Sequence, residues 1–404
     1  MTVAAGVLAA TALSASACVA FRPTPLPSLP SPVVSTLPTT RSSSTPTGPP
    51  TLAVTQGAWA TYQAAWQSCR STATTPVIIP AAVEVPQDLV PVGDCAILFY
   101  GTSGNLWIAS PTGLAKFPEH VVNPDPVTGH LSPLLLAADP AGVWVATFGP
   151  SNPALTFTRP DGALQVDLPS RTIGINAIRT TAGGLLVAVD TGDYSGVTGK
   201  VGSLGGALLS VSADGVVTTV WSAPGLSIRA IATDGATTVV TGWLLDAPAS
   251  FVATDYGGGW QRLTVPAGNG GAVGIAAQGE RIVVMSQKAD DQGIAPVGTM
   301  TSVSADRGAT WTSTETPVGD AGTLLGFHDG TAIAKGVLNT APLGLVQMTD
   351  AGDWIPFATV PDPPANIYER DVALTTCGVW MLDATLAPSS DRLMTHVALP
   401  GPGC

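Results

Sequence analysis

Charge is scarce in this chain. Only 11% of its 404 residues are Asp, Glu, Lys or Arg, where about a quarter is usual, and 16 basic residues face 28 acidic ones for a net charge of -12. That balance repels phosphate backbones and anionic lipid surfaces, which excludes nucleic acid as a partner. Uninterrupted helix-forming sequence is also lacking, since 45 glycines and 36 prolines rule out coiled coils and large helical bundles. Histidines 120, 130, 328 and 396 stand apart, without the close spacing of a zinc site, and no CxxC pair is present. No phosphate loop, dinucleotide glycine pattern or Gly-x-Ser-x-Gly elbow occurs. No cofactor and no metal is therefore expected; Asp290-Asp291, in the loop Gln287 to Thr299, reads as a solvated turn in preference to a calcium site.

What is present at the start is a run of small and apolar residues from Val3 to Ala17, ended by Ala15-Ser16-Ala17-Cys18. It has the shape of a secretory core with a small-residue cleavage site and is too short to span a bilayer comfortably. No Lys or Arg precedes it, which points to a start codon further upstream. A cysteine in this place resembles the bacterial lipobox, which implies cleavage after residue 17, lipidation of Cys18, and anchoring through several acyl chains at the outer face of the cell membrane. Residues 1–18 are thus read as a signal segment. Residues 19–55, dominated by Pro, Ser and Thr, cannot bury enough apolar surface to offset their chain entropy and read as an extended spacer. Four further cysteines, Cys69, Cys95, Cys377 and Cys404, make an even set in an exported chain, which predicts two disulfides. The pairing expected is Cys69 with Cys95 and Cys377 with Cys404, a clasp between the chain ends being the alternative.

A repeat organises the remainder. Seven times an apolar run leads into a glycine turn, as in Leu106-Trp107-Ile108-Ala109-Ser110-Pro111-Thr112-Gly113 and Leu208-Leu209-Ser210-Val211-Ser212-Ala213-Asp214-Gly215, and the successive turn glycines lie 49, 53, 42, 51, 44 and 49 residues apart. Most units carry two earlier strand-like runs and one later one. Four short antiparallel strands joined by Asp-Gly turns make a blade, and seven blades close into a ring. The expected fold is an all-β, seven-bladed β-propeller over residues 76–404. The last unit ends without a fourth strand, while the chain ahead of the first unit holds Thr75-Pro76-Val77-Ile78-Ile79-Pro80; this segment is predicted to complete the last blade and remove an exposed edge. Residues 56–75 are read as a short docking helix, with Trp59, Tyr62, Ala65 and Trp66 on one face.

The fifth turn, Ser304-Ala305-Asp306-Arg307-Gly308-Ala309-Thr310-Trp311, matches Ser-x-Asp-x-Gly-x-Thr-Trp. It resembles the Asp-box, or bacterial neuraminidase repeat, of sialidase-like propellers. Asp255 with Trp260, and Asp350 with Trp354, mark two degraded copies. In that family the box is a structural turn on the rim, so the resemblance implies that Ser304, Asp306, Gly308 and Trp311 serve the fold and carry no activity. Sialidases of this superfamily hold a substrate carboxylate with three converging arginines and use a tyrosine nucleophile paired with glutamate. The first of those arginines usually sits in a Phe/Tyr-Arg-Ile-Pro segment, and this chain offers only Phe21-Arg22-Pro23, in the spacer.

The best remaining constellation is Tyr368-Glu369-Arg370-Asp371 ahead of the last blade's first strand, with Arg179 and Arg229 in the first strands of other blades as candidate ligand-binding residues. Asp190-Thr191-Gly192 looks like the aspartic-protease triplet, but no second copy exists and its position ends a blade strand. The sequence therefore points to a monomeric, lipid-anchored or secreted binding or scaffold module of the cell envelope, without a defined catalytic activity. Its expected partners are an extracellular glycan or an envelope protein, engaged by the segments Thr191 to Leu204 and Ser286 to Thr299. The competing reading is a sialidase-like exo-glycosidase.

Overall fold

Strands dominate because apolar, β-branched and aromatic runs of five or six residues recur between glycine turns. In the computed structural model these runs form seven antiparallel sheets, six of four strands and one of five. The structure describes residues 54–55, 57–68, 75–80, 86–101, 104–111, 113–120, 134–147, 153–194, 201–245, 250–265, 272–289, 296–316, 318–338, 344–349, 352–358, 372–382 and 392–399. Cys18, Cys69, His130, Asp290, Asp291, Asp350, Tyr368, Glu369, Arg370, Asp371 and Cys404 lie outside them.

Blade 1 runs from Gln87 to His120, blade 2 from Leu134 to Val166, blade 3 from Thr172 to Pro224 and blade 4 from Leu226 to Leu263. Blade 5 spans Ala272 to Thr316, blade 6 Val318 to Ala358, and blade 7 Val372 to Ala398. Each blade starts with its innermost strand and works outward. The second and third strands read as continuous apolar stretches because each sheet is covered on both faces: Ala96–Tyr100, Asn105–Ser110, Gly142–Thr147 and Gly378–Leu382 are buried throughout. Outer strands face solvent, and Val217–Pro224 is exposed at every other position or more.

The core is divided among the gaps between sheets. Seven hydrophobic clusters are present, one for each pair of neighbouring blades. The cluster that joins Trp380, Leu382 and Met394 of blade 7 to Ile97, Phe99 and Trp107 of blade 1 closes the ring. Burying a side chain of this size contributes about 1.5–3 kcal/mol. Tryptophans add directed links across the gaps: Trp380 Nε1 donates to the carbonyl of Cys95 at 2.9 Å, and Trp354 Nε1 donates to Thr301 Oγ1 at 2.9 Å. The fully buried His396 tilts against Trp380 at 5.0 Å, a core position and no part of a histidine cluster.

The seam is built as the sequence predicts. Thr75–Ile79 pairs antiparallel with Arg392–Ala398 in the register Thr75 with His396 and Ile79 with Arg392, making the outer strand of blade 7. Ahead of it the helix Ala58–Ser68 packs its Ala58, Tyr62 and Ala65 face onto blades 1 and 2. The Tyr62 hydroxyl reaches the carbonyls of Asp139 and Gly142 at 2.6 and 2.7 Å and accepts the N–H of Asp139. Burial pushes this phenol well above its ordinary pKa. Gly93 is required by the docking: a Cβ there would stand 2.2 Å from the Ala65 carbonyl, at a φ of +56°. Two residues at the end of the expected spacer, Val54–Thr55, form a short strand parallel to Leu114 and Ala115 on the outer edge of blade 1.

Candidate functional site

Innermost strands of a propeller face a common axis, and here they enclose three cavities of about 400, 390 and 490 Å³. Their walls come from all seven blades: Leu89, Ala138, Arg179, Thr233, Gln278, Leu325 and Thr375 each represent one. Arg179 lines all three. It projects from the strand Thr172–Thr181, two residues before the turn at Thr181. The guanidinium is exposed to the channel and makes no ion pair or side-chain hydrogen bond among the described residues. Desolvation by the surrounding walls holds its pKa below the ordinary arginine value, but a guanidinium starts so high that it stays charged at neutral pH.

The channel carboxylates are held by backbone N–H groups of their own turns and of the next blade. Asp88 Oδ2 accepts the backbone N–H of Leu136 at 3.1 Å. Asp234 accepts N–H groups from Ala236, Thr237 and Gly279; burial alone would raise its pKa, and these donors outweigh that effect and leave it low.

Arg229 occupies a different place. A β-bulge puts it out of register between Ile228 and Ala230, and the neighbouring inner strand has its own bulge at Asn176, between Ile175 and Ala177. Bulges re-aim side chains, and these two meet: Arg229 Nη1 donates to Asn176 Oδ1 at 2.8 Å. Arg229 Nη2 lies 3.4 Å from Asp190 Oδ2, whose other oxygen accepts the Ser227 hydroxyl at 2.7 Å. The guanidinium also stacks 4.8 Å from the Trp243 ring, which is 49% exposed. This cluster ties blade 3 to blade 4. Thus the arginines do not converge, and the Asp190-Thr191-Gly192 triplet is strand: Asp190 pairs across blades and Thr191 Oγ1 donates to the Gly205 carbonyl.

The turn Ser304 to Trp311 is a closed hydrogen-bonded unit. Asp306 accepts the Thr310 N–H at 2.8 Å, the Thr310 hydroxyl at 2.6 Å and the Ser304 hydroxyl at 2.8 Å, which draw its pKa down to about 2. Ser304 Oγ takes the Gly308 N–H at 2.7 Å, and Trp311 Nε1 donates to the Gly308 carbonyl at 3.0 Å. Gly308, at a φ of +85°, abuts Leu263 of blade 4, where a Cβ would approach to 2.4 Å. Asp255 accepts the N–H groups of Gly257 and Gly259, and Trp260 stacks on Trp221 at 4.8 Å. All of these interactions are internal to turns or between blades, none in the channel.

Among the described residues no group of three or more His, Cys, Asp or Glu side chains could hold a metal ion, and no helix is long and apolar enough to cross a membrane. Asn176, Ser227 and Trp243 are missed by sequence reasoning. Asn176 and Ser227 leave only the trace of polar residues interrupting apolar first strands, in Leu226-Ser227-Ile228-Arg229 and Gly174-Ile175-Asn176, and Trp243, in a second strand, leaves none.

Fold and channel together define the class: a seven-bladed β-propeller with an axial channel lined by one strand from every blade. No family model matches the chain, and no curated protein matches it. Solved structures do. The chain is similar to YCF48 bound to a D1 peptide, at 11% identity over 82% of this chain and 96% of that one with a TM-score of 0.51. It is similar also to the polysaccharide lyase Uly1, at 9% identity over 86% and 96% with a TM-score of 0.54, and to the hydrazine synthase of Kuenenia stuttgartiensis, at 10% over 78% and 96% with a TM-score of 0.51. At such identities the likeness shows the fold alone.

Proposed function

We propose that this chain is an exported, lipid-anchored binding or scaffold module of the cell envelope, in which the propeller holds a ligand or partner at its axial channel. The observation that carries this reading is the unpaired guanidinium of Arg179 in a channel walled by all seven blades. Concave sites with few, convergent polar groups are where ligands bind. Propellers among the structural neighbours serve both uses, since YCF48 is seen with a peptide and Uly1 is a lyase, so the choice rests on the site. Arg229 is committed to Asp190 and Asn176, which weighs against a three-arginine carboxylate clamp and favours the binder over the exo-glycosidase.

Saturable binding on a glycan array or an array of envelope-protein peptides, lost on Gln278→Trp, which fills the channel from blade 5, is the expected result. A panel of fluorogenic glycosides that includes a sialoside is expected to show no turnover; hydrolysis abolished by Glu369→Ala or Tyr368→Phe would replace this reading with the glycosidase. Anchoring through Cys18 predicts that Cys18→Ser moves the protein from the membrane fraction to the medium. The same exported setting supports the two disulfides Cys69–Cys95 and Cys377–Cys404, which peptide mapping without reductant would reveal.

A further inference from the structure

Scattered aliphatic side chains on a surface need no explanation, but a half-exposed tryptophan fixed in place does. Among the large hydrophobic side chains exposed in the described residues, Trp243 is the one aromatic, and Leu245, two residues on, is exposed as well. The guanidinium of Arg229 lies over the ring at 4.8 Å, and Asn176 and Asp190 pin that guanidinium in turn. The ring therefore loses its rotamer freedom at folding, and a ligand meets a platform already set. This platform stands away from the Arg179 cavities. Arg179 and the cavity-lining Thr233 flank the turns that join first strands to second, at Thr181 to Gly184 and at Thr233 to Thr238, whereas Trp243 pairs with Ser227 at the opposite end of its ladder.

The surroundings select the ligand. A cation already engages the ring, which makes it a poorer partner for a second cation, and the net charge of -12 opposes an anion. A neutral group with an apolar face remains. Asn176 and Asp190 take two of the five N–H donors of Arg229. Arg229 keeps 31% and Asp190 14% of its side-chain surface open, so spare N–H groups and a carboxylate acceptor stand beside the ring. A sugar hydroxyl donates and accepts at once, and a pyranose presents a face of slightly positive C–H groups to the negative face of an indole. A proline ring offers a similar face but no hydroxyl.

We propose that Trp243, with Arg229 and Asp190 at its edge, is a binding platform for a neutral pyranose unit of a glycan. The assignment goes beyond the channel reading and does not depend on it.

Titration calorimetry on the full mature chain tests it with cellotetraose, maltotetraose and tetra-N-acetylchitotetraose as neutral glycans, tetragalacturonate as an acidic one, and hexaproline as the competing peptide. The expected outcome is saturable binding of a neutral tetrasaccharide, tighter than that of tetragalacturonate or hexaproline. Trp243→Ala should weaken it about tenfold or more, Trp243→Phe should restore part of the loss, and Gln278→Trp should leave it unchanged. No saturable binding of any neutral tetrasaccharide, tighter binding of tetragalacturonate or hexaproline, or a Trp243→Ala variant that binds as the wild type overturns the platform. Sugar binding that is lost on Gln278→Trp and indifferent to Trp243→Ala belongs to the channel and sinks this proposal alone. Arrays on which nothing is lost with Gln278→Trp sink the channel reading and leave the platform to the Trp243 variants.

Discussion

Arg179 and Arg229 stand on the inner strands of adjacent blades, yet they do different work. Arg229 leaves the ladder at a bulge, reaches Asn176 and Asp190 across the gap, and lies on Trp243. Arg179 stays in register opposite Leu186 and lines the axial cavities, where no ion pair or side-chain hydrogen bond holds it among the described residues. Residue type does not separate a strut from a site here; the local register does. One arginine contributes to the fold through its partners, and the other is available because it has none.

The comparison breaks most easily at Arg229. Arg229→Met should destabilise the domain by about 2 kcal/mol, because Asp190 is left largely buried without its counter-charge; the figure is taken below that of a fully buried pair because Arg229 is partly exposed. Urea denaturation measures it, and a loss no larger than that of Arg179→Gln would erase the distinction. Trp243→Ala removes only the stacked ring and should cost about 0.5–1 kcal/mol, a difference the same assay resolves. Arg179→Gln should change stability by less than about 0.5 kcal/mol, while altering ligand binding. The weakest effect concerns a charge partnered inside its own turn. Asp306 has a folded-state pKa of about 2, below the ordinary aspartate value of about 3.9. Its stabilisation is therefore complete above about pH 4 and is lost as pH falls toward about 2. Solvent screens so exposed a group, so Asp306→Asn should flatten the acid limb of a melting-temperature profile only slightly.

Blade number, blade order and the closing strand are legible in the sequence because they follow from the spacing of turn glycines and from strand-like surplus at one end matched by a deficit at the other. The Ser304 to Trp311 turn is legible for the same reason: every group it needs lies within eight residues of sequence. The Arg229 cluster is not, since Asn176, Asp190 and Trp243 reach it from three other strands and two of its members are aimed by bulges, which leave no mark in a periodicity of two. Arg179 was legible as a candidate by its place in a first strand. That it lacks a partner could be known only once the other six inner strands were set around it.

The joint between Thr75–Ile79 and Arg392–Ala398 has a temporal consequence. The last sheet draws on both extremities of the polypeptide, so neither a ribosome nor an export channel can release a finished blade 7 before nearly all of the chain has emerged. Six sheets can assemble progressively; maturation then waits on a single long-range encounter, the kind of non-local pairing that slows folding. Until that encounter, the strand Arg392–Ala398 offers an uncovered edge, and the interval before docking is when neighbouring chains would compete for it.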